Sequence, residues 1–294
     1  MIIKFKPIAI DKIWGGNSLS KIYDIDKPNI GEIWGISAHS SYSNVIIDGK
    51  YKGLTLRELY EKHRDLFGNI DYDEFPILFK VIDAAEDLSI QVHPDDLYAN
   101  KYENSNGKDE CWYILDTRFK NTDIIIGHNA KSKETLIQMI NNDEYDKLLN
   151  RFPIKPNDYF YISSGKIHAI TKGTMLLEVS QSSDITYRLY DYNRLDKGKL
   201  RQLHIEKSVD VINAPDTKLK KIHLNKHFTF NVKENNDTTE KKSHQYGDYY
   251  YIIKGKGYID NKKVLQGDFL MITAKKKYIL HGNFKYAYVN IIHI

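Results

Sequence analysis

The stretch Ser89-Ile90-Gln91-Val92-His93-Pro94-Asp95-Asp96 decides how this chain is read. Up to His93 it alternates apolar and polar residues, the period of a strand with one face in a core and the other facing something polar. Gln91 and His93 therefore point the same way. Same-face neighbours on a strand lie roughly 6 to 7 Å apart, close enough for both to reach one ion. Pro94 ends the strand, and Asp95-Asp96 open a short helix predicted to run to Glu103. A Gln-x-His pair alone is more often a hydrogen-bonding arrangement than a metal site, so the surrounding chain has to decide.

With 294 residues the chain can bury one large core or two moderate ones, and the length favours two. Its 41% hydrophobic and 12% aromatic content, with 22 tyrosines, is that of a globular protein rich in strands, since aromatic and β-branched residues fit pleated surfaces. A mainly β fold is expected. The single cysteine, Cys111, excludes an internal disulfide and fits a reducing compartment. The start Met1-Ile2-Ile3-Lys4-Phe5-Lys6-Pro7 lacks the pattern of a secretory leader, and no run approaches the roughly 18 apolar residues of a membrane span. A soluble, cytoplasmic protein without a membrane partner is the expectation. The net charge of +4, from 43 basic and 39 acidic residues, is too small for a nucleic-acid partner. Lysine clusters at Lys218-Lys220-Lys221 and Lys275-Lys276-Lys277 read as solvated faces.

Outward from the central stretch, Thr55 and Glu58 make a capping box, with Leu54 and Leu59 as a hydrophobic staple, for a helix ending at Gly68. The run from Phe75 to Ala84 reads as a buried strand, and Lys80 inside it must either snorkel outward or meet an anion. Strands follow at Glu110 to Leu115 and Asp123 to Gly127, then a helix from an N-cap at Ser132 to about Leu149, with Leu136, Met139, Ile140, Leu148 and Leu149 on its apolar stripe. Further strands are predicted at 157–162, 174–179 and 186–192. Asn213-Ala214-Pro215-Asp216 is the candidate boundary between two domains, 1–213 and 214–294. Beyond it, Gly247-Asp248, Gly255-Lys256-Gly257, Gly267-Asp268 and His281-Gly282 punctuate short strands of a small sandwich or barrel.

Gln91, His93, Glu110 and His168 form a donor set that zinc accepts, with a position left open for water or substrate in a catalytic site. Spacing permits their convergence without requiring it. Taken singly, His168 reads as an ordinary half-buried histidine and Glu110 beside Lys108 as a surface charge pair. Arg188, in Thr186-Tyr187-Arg188-Leu189-Tyr190, has Asp184 and Asp191 as possible ion-pair partners.

Four segments taken together carry a resemblance: Ile90-Gln91-Val92-His93-Pro94, Gly107-Lys108-Asp109-Glu110-Cys111-Trp112, Gly165-Lys166-Ile167-His168-Ala169-Ile170 and the run from Ser183 to Tyr192. In order and spacing they resemble the type I mannose-6-phosphate isomerases, the short bacterial form above all. Trp14-Gly15-Gly16 and Gly31-Glu32-Ile33-Trp34 are similar to that family's N-terminal segments, so the likeness extends over most of residues 1–213. It implies a cupin, a β-barrel of jelly-roll type with inserted helices, followed by a smaller second cupin. It also implies one Zn2+ per chain on Gln91, His93, Glu110 and His168, with Arg188 and Lys108 catalytic and Ser89 and Lys80 on the phosphate side. Tyr249-Tyr250-Tyr251 stands where a metal-binding cupin has its His-x-His, so the second domain is expected to be metal-free and structural.

The implied reaction interconverts D-mannose 6-phosphate and D-fructose 6-phosphate through an enediolate, with a small sugar phosphate as partner and a monomer or weak homo-oligomer as the state. Two other readings are a cupin dioxygenase, against which the amide of Gln91 in place of a histidine argues, and a sugar-binding regulatory cupin without catalysis, against which the complete set of candidate residues argues.

Overall fold

The computed structural model describes residues 1–219 and 225–293, so Lys220 and Lys221 of the first lysine cluster lie outside the described residues. Of the second cluster, Lys275 and Lys277 are exposed, while Lys276 is half-buried and pairs with Asp260 at 2.7 Å. The molecule is mainly β, with 44% of residues in strands and 15% in helices, in a cupin fold.

Three sheets stack in layers. The middle one runs, in spatial order, Ile8–Gly16, Ile30–Ile36, Ile77–Asp83, Thr174–Gln181, Glu110–Thr117 and Tyr159–Ile162. Facing it lies a second sheet ordered Tyr187–Tyr190, Ile90–Val92, His168–Ile170, Asp123–His128 and Leu149–Pro153. Trp14, Ile82, Ile114, Ile124, Ile126, Ile162 and Ile170 fill the space between them. On the outer side of the second sheet, Ile90, Val92, Ala169, Tyr187 and Leu189 meet Leu136, Ile140 and Leu148 from the inserted helices. That helical cover is why Ile90 and Val92 are apolar while Gln91 and His93 turn inward.

The inner strands Ile30–Ile36, Ile77–Asp83 and Thr174–Gln181 of the middle sheet are buried on both faces, so they carry few charged residues. Phe79, Val81, Cys111, Tyr113, Leu177 and Val179 face a third sheet, against Phe228, Phe230, Tyr249, Tyr251 and Phe269. Residues of the opposite parity, among them Lys80, Glu110 and Glu178, face the second sheet. Three charges in three apolar strands thus land on one inner wall.

Side-chain caps account for three of the six α-helix starts among the described residues. Thr55 and Glu58 form the capping box, and the helix Leu56–Lys62 follows. It stops at His63 and continues only as a 3-10 turn, Arg64–Phe67, closed by Gly68. Asp95 caps Asp96–Glu103 by accepting from the Tyr98 amide, and Ser132 caps Lys133–Asn141 by accepting from the Thr135 amide. The second expected helix does not run on to Leu149. It breaks at Asn142-Asp143, where Asp143 has φ 55°, and resumes as the single turn Tyr145–Leu148. Residues with short polar side chains accept that left-handed geometry.

The third sheet holds Phe228–Asn235, Lys277–Ile291, Asp248–Ile259 and Phe269–Ile272, with Thr238–Lys242 and Lys262–Leu265 attached. Two of its strands are long, which corrects the expectation of short ones: Gly255-Lys256-Gly257 and His281-Gly282 lie within strands. Gly257 and Gly282 face each other across the ladder, and a Cβ on Gly257 would sit 2.4 Å from the His281 carbonyl oxygen. These glycines allow close backbone approach in a bending ribbon. Tyr249 and Tyr251 enter the core shared with the middle sheet, whereas Tyr250 points to the opposite side, among Ile252, Leu270, Tyr278 and Leu280. The strand Ile2–Lys4 pairs with Phe269–Ile272, so residues from the N-terminal segment complete the sheet otherwise formed beyond residue 227.

Candidate functional site

The register of the second sheet sets Gln91 between His168 on one neighbouring strand and Arg188 on the other. His93 follows Gln91 at the strand end. Glu110, the first residue of its own strand, reaches across from the middle sheet. The ligand atoms of His93, Glu110 and His168 all lie within 4.8 Å of one another, and the three residues are buried. The two Nε2 atoms are 3.2 Å apart, and each is 3.5 Å from an oxygen of Glu110. Gln91 Nε2 is 3.4 Å from His168 Nε2. The four expected ligands therefore converge, three on one wall and the carboxylate from the facing one.

Both imidazoles are oriented by backbone. His93 Nδ1 donates to the Ile185 carbonyl at 2.7 Å, and His168 Nδ1 to the Lys166 carbonyl at 2.9 Å. With the proton held on Nδ1, each Nε2 presents a lone pair to the centre. Burial lowers the pKa of His168 to about 4 and that of His93 well below the usual range, so both rings are neutral at pH 7. Two lone pairs 3.2 Å apart repel unless a cation lies between them. Glu110 Oε1 is buried without a hydrogen-bond partner. A neutral pair of imidazoles, an amide and an orphaned carboxylate oxygen are the donor set that suits a divalent ion of the zinc type.

Around this centre runs a chain of buried charges. Lys108 Nζ bonds to Glu110 Oε2 and lies 3.3 Å from His93 Nε2 and 3.4 Å from Glu178 Oε1. The expected Lys108–Glu110 pair exists, though in the interior and not on the surface. Burial works against the Lys108 ammonium, but the Glu110 and Glu178 carboxylates outweigh it and hold its pKa above the ordinary lysine value. Burial and then the nearby Glu178 push Glu110 up to about 7. Burial opposes ionisation of Glu178 as well, yet Lys108 and Lys80 overcome it and draw it down to about 2. Lys80 does not snorkel: its Nζ is 3.5 Å from Glu178 and 4.6 Å from the centroid of the Trp34 ring.

A cavity of about 350 Å3 opens over these groups, lined by Lys80, Ser89, Gln91, Lys108, Glu178 and Arg188, among others. Ser89 Oγ donates to Gln91 Oε1 at 3.3 Å. Arg188 pairs with neither aspartate raised as a partner. Its Nη1 donates to the Gln202 carbonyl at 2.7 Å, Asp191 is taken by Arg194 and Arg201, and Asp184 lies 3.5 Å from His39. Sequence reading missed Glu178, Trp34, Glu32 and Arg201, all on the cavity wall. Glu178 carried a signal: like Lys80 it is a charge inside an apolar run, and the two are register partners on adjacent strands.

The description "Phosphomannose isomerase type I, catalytic domain" fits residues 2–123 of this chain. Mannose-6-phosphate isomerase ManA of Bacillus subtilis is 52% identical over 214 residues, 72% of this chain and 68% of that protein. The probable mannose-6-phosphate isomerase GmuF of the same organism is 42% identical over 255 residues, 85% of this chain and 78% of its own length. A crystal structure of the mannose 6-phosphate isomerase from B. subtilis superposes with a TM-score of 0.93 at 37% identity, covering 99% of both chains.

Proposed function

Since the chain belongs to the type I phosphomannose isomerases, we propose that it interconverts D-mannose 6-phosphate and D-fructose 6-phosphate with one Zn2+ held by Gln91, His93, Glu110 and His168. The observation that carries this is the convergence of His93, Glu110 and His168, within reach of Gln91 and Lys108, which line a cavity together with Lys80, Ser89, Glu178 and Arg188. A divalent ion on that donor set would act as a Lewis acid toward the sugar oxygens, since only one of its four ligands is charged.

The remaining work falls to the chain's own residues. In the forward direction a proton leaves C2 and one is delivered to C1, and the hydroxyl proton passes from O2 to O1, so that the carbonyl moves from C1 to C2 through an enediolate. Glu178, which lines the cavity and is held ionised beside Lys108 and Lys80, is the carboxylate we assign to carry the proton. Lys108, held in its ammonium form, donates to an oxygen on which charge develops. Arg188 supplies planar donors suited to two adjacent oxygens. Lys80 and Ser89 take the phosphate side, where a dianion gives the buried ammonium a second partner. The second unit, 214–294, we propose to be metal-free and supporting: Tyr249 and Tyr251 are committed to the shared core.

A coupled assay of isomerisation by the metal-loaded protein, repeated after chelation and after zinc is restored, tests the proposal. Turnover that is lost and then recovered is the expected result. Substrate binding without turnover in the zinc-loaded protein would leave a binder in place of an enzyme, and oxygen uptake would point to the dioxygenase.

A further inference from the structure

The ligand His168 is steered by a carbonyl, and that carbonyl belongs to a residue whose own side chain is tied elsewhere. Lys166 has a buried side chain, 3% exposed, whose ammonium donates to Asp216 Oδ1 at 2.6 Å and to the Thr217 carbonyl at 2.6 Å. A lysine that deep needs such partners. Asp216 lies in the segment that follows the helix Ile205–Val211. Its second oxygen accepts from the His128 amide at 3.2 Å, on the strand that pairs directly with that of His168.

The same segment is fastened at Asn213. Its amide donates to the Gly165 carbonyl at 2.9 Å, and its carbonyl accepts from His128 Nε2 at 2.9 Å. The turn at residues 163–166 in turn touches the other imidazole ligand, because the Gly165 amide donates to the His93 carbonyl at 2.9 Å. Two glycines leave room for this arrangement. At Gly127, φ +81°, a Cβ would stand 2.0 Å from Asp216 Oδ2, and at Gly165, φ +77°, 2.2 Å from Asn213 Nδ2. Side chains are missing at the two places where the segment presses, one on the strand beside that of His168 and one on the turn that precedes His168.

We infer that Lys166 and Asp216 are a positioning pair for His168, through which residues 213–217 set the affinity of the centre for a divalent cation. The inference rests on the assignment of His168 as a ligand made above. Neither residue touches the centre; each acts through the turn that carries the Lys166 carbonyl. When the pair is broken, that carbonyl is free to move, and the lone pair it aims drifts with it.

The test uses the full chain stripped of metal and titrated with Zn2+ against a competing chelator, with melting temperature followed in parallel. Lys166→Met and Asp216→Asn are each expected to weaken Zn2+ binding about 10- to 100-fold, and the double variant no more than the weaker single, with Lys166→Arg recovering part of the loss. Dissociation constants within about twofold of the parent, together with a lower melting temperature, would overturn the inference and leave the pair a purely structural contact. If Lys166→Met fails to fold, Asp216→Asn, which changes charge and not shape, decides by the same criterion. A parent chain that binds no Zn2+ sinks the ligand assignment itself, an outcome distinct from variants that match a binding parent.

Discussion

Replacing Glu110 by glutamine removes the single charged donor from the centre while keeping its shape. We expect Glu110→Gln to purify with far less than one zinc per chain and to lose activity, as elemental analysis beside the coupled assay would show. Arg188→Lys should behave differently: zinc content stays at the parental level while kcat falls by the equivalent of about 3 to 4 kcal/mol, the typical cost of losing one transition-state donor. Near-normal turnover of that variant would remove Arg188 from the mechanism. At this scale the sequence was informative in two ways. Lys80 could be picked out as a charge in a run that otherwise has no reason to carry one, and Glu110, which opens its strand, through the segment from Gly107 to Trp112 that carries the family resemblance. The pairing of Lys80 with Glu178 was not legible, because the register that sets them opposite one another leaves no mark in either strand. Arg201 escaped for another reason: it follows an exposed hairpin, where a basic residue is unremarkable until its Asp191 partner is seen.

Caps and turns act at the scale of the element, and two of them give measurable expectations. Thr55→Ala should destabilise the fold by about 1 kcal/mol in urea unfolding, since the capping box satisfies amides at the start of Leu56–Lys62. Asp96, the first residue of its helix, accepts from the Gly107 amide at 3.0 Å, from Gln181 Nε2 at 2.8 Å and from Lys226 at 2.9 Å. Burial opposes its ionisation, but the bonds from Lys226, Gln181 and the Gly107 amide prevail and hold its pKa below the ordinary value. A depressed carboxyl contributes stability that is fully present above its unfolded pKa, about 3.9, and is lost as pH falls through the folded value. The stability gap between parent and Asp96→Asn should therefore be open at pH 6 and close as the pH drops below about 4. A gap that stays constant across that range would mean the carboxyl's charge does not contribute. Three helix starts were legible because Thr55, Asp95 and Ser132 declare themselves by side-chain chemistry, whereas the helices Ser18–Ile22 and Ile205–Val211, which have no side-chain cap, were not. Of the helix ends, Glu103 falls where expected and the other two do not. The break at Asn142-Asp143 depends on a left-handed residue that has no obligatory sequence, and an apolar stripe continuing to Leu149 concealed it.

For the whole molecule, the shared core between the middle and third sheets dictates cooperativity. Phe79 meets Phe269 with ring centroids 6.4 Å apart, and Phe75 meets Tyr249 at 5.4 Å. Phe269→Ala should cost about 3 to 5 kcal/mol, and the loss should appear in one unfolding transition and not in a separate event for the third sheet. A chain ending at residue 213 should expose Phe79, Val81, Leu177 and Val179 to water, and near-UV circular dichroism is expected to show loss of fixed packing. The layered β architecture could be anticipated from alternation and from the family likeness, because both are written along each strand. The partnership of Ile2–Lys4 with Phe269–Ile272 could not, since nothing near either strand records its distant neighbour.

That partnership also orders events during synthesis. Ile2 emerges from the ribosome some 270 residues ahead of Ile272, an interval of roughly 15 to 55 s at ordinary elongation rates. Until then the nascent chain carries an unmatched apolar strand, and the third layer can be zipped shut only once Phe269–Ile272 has been made.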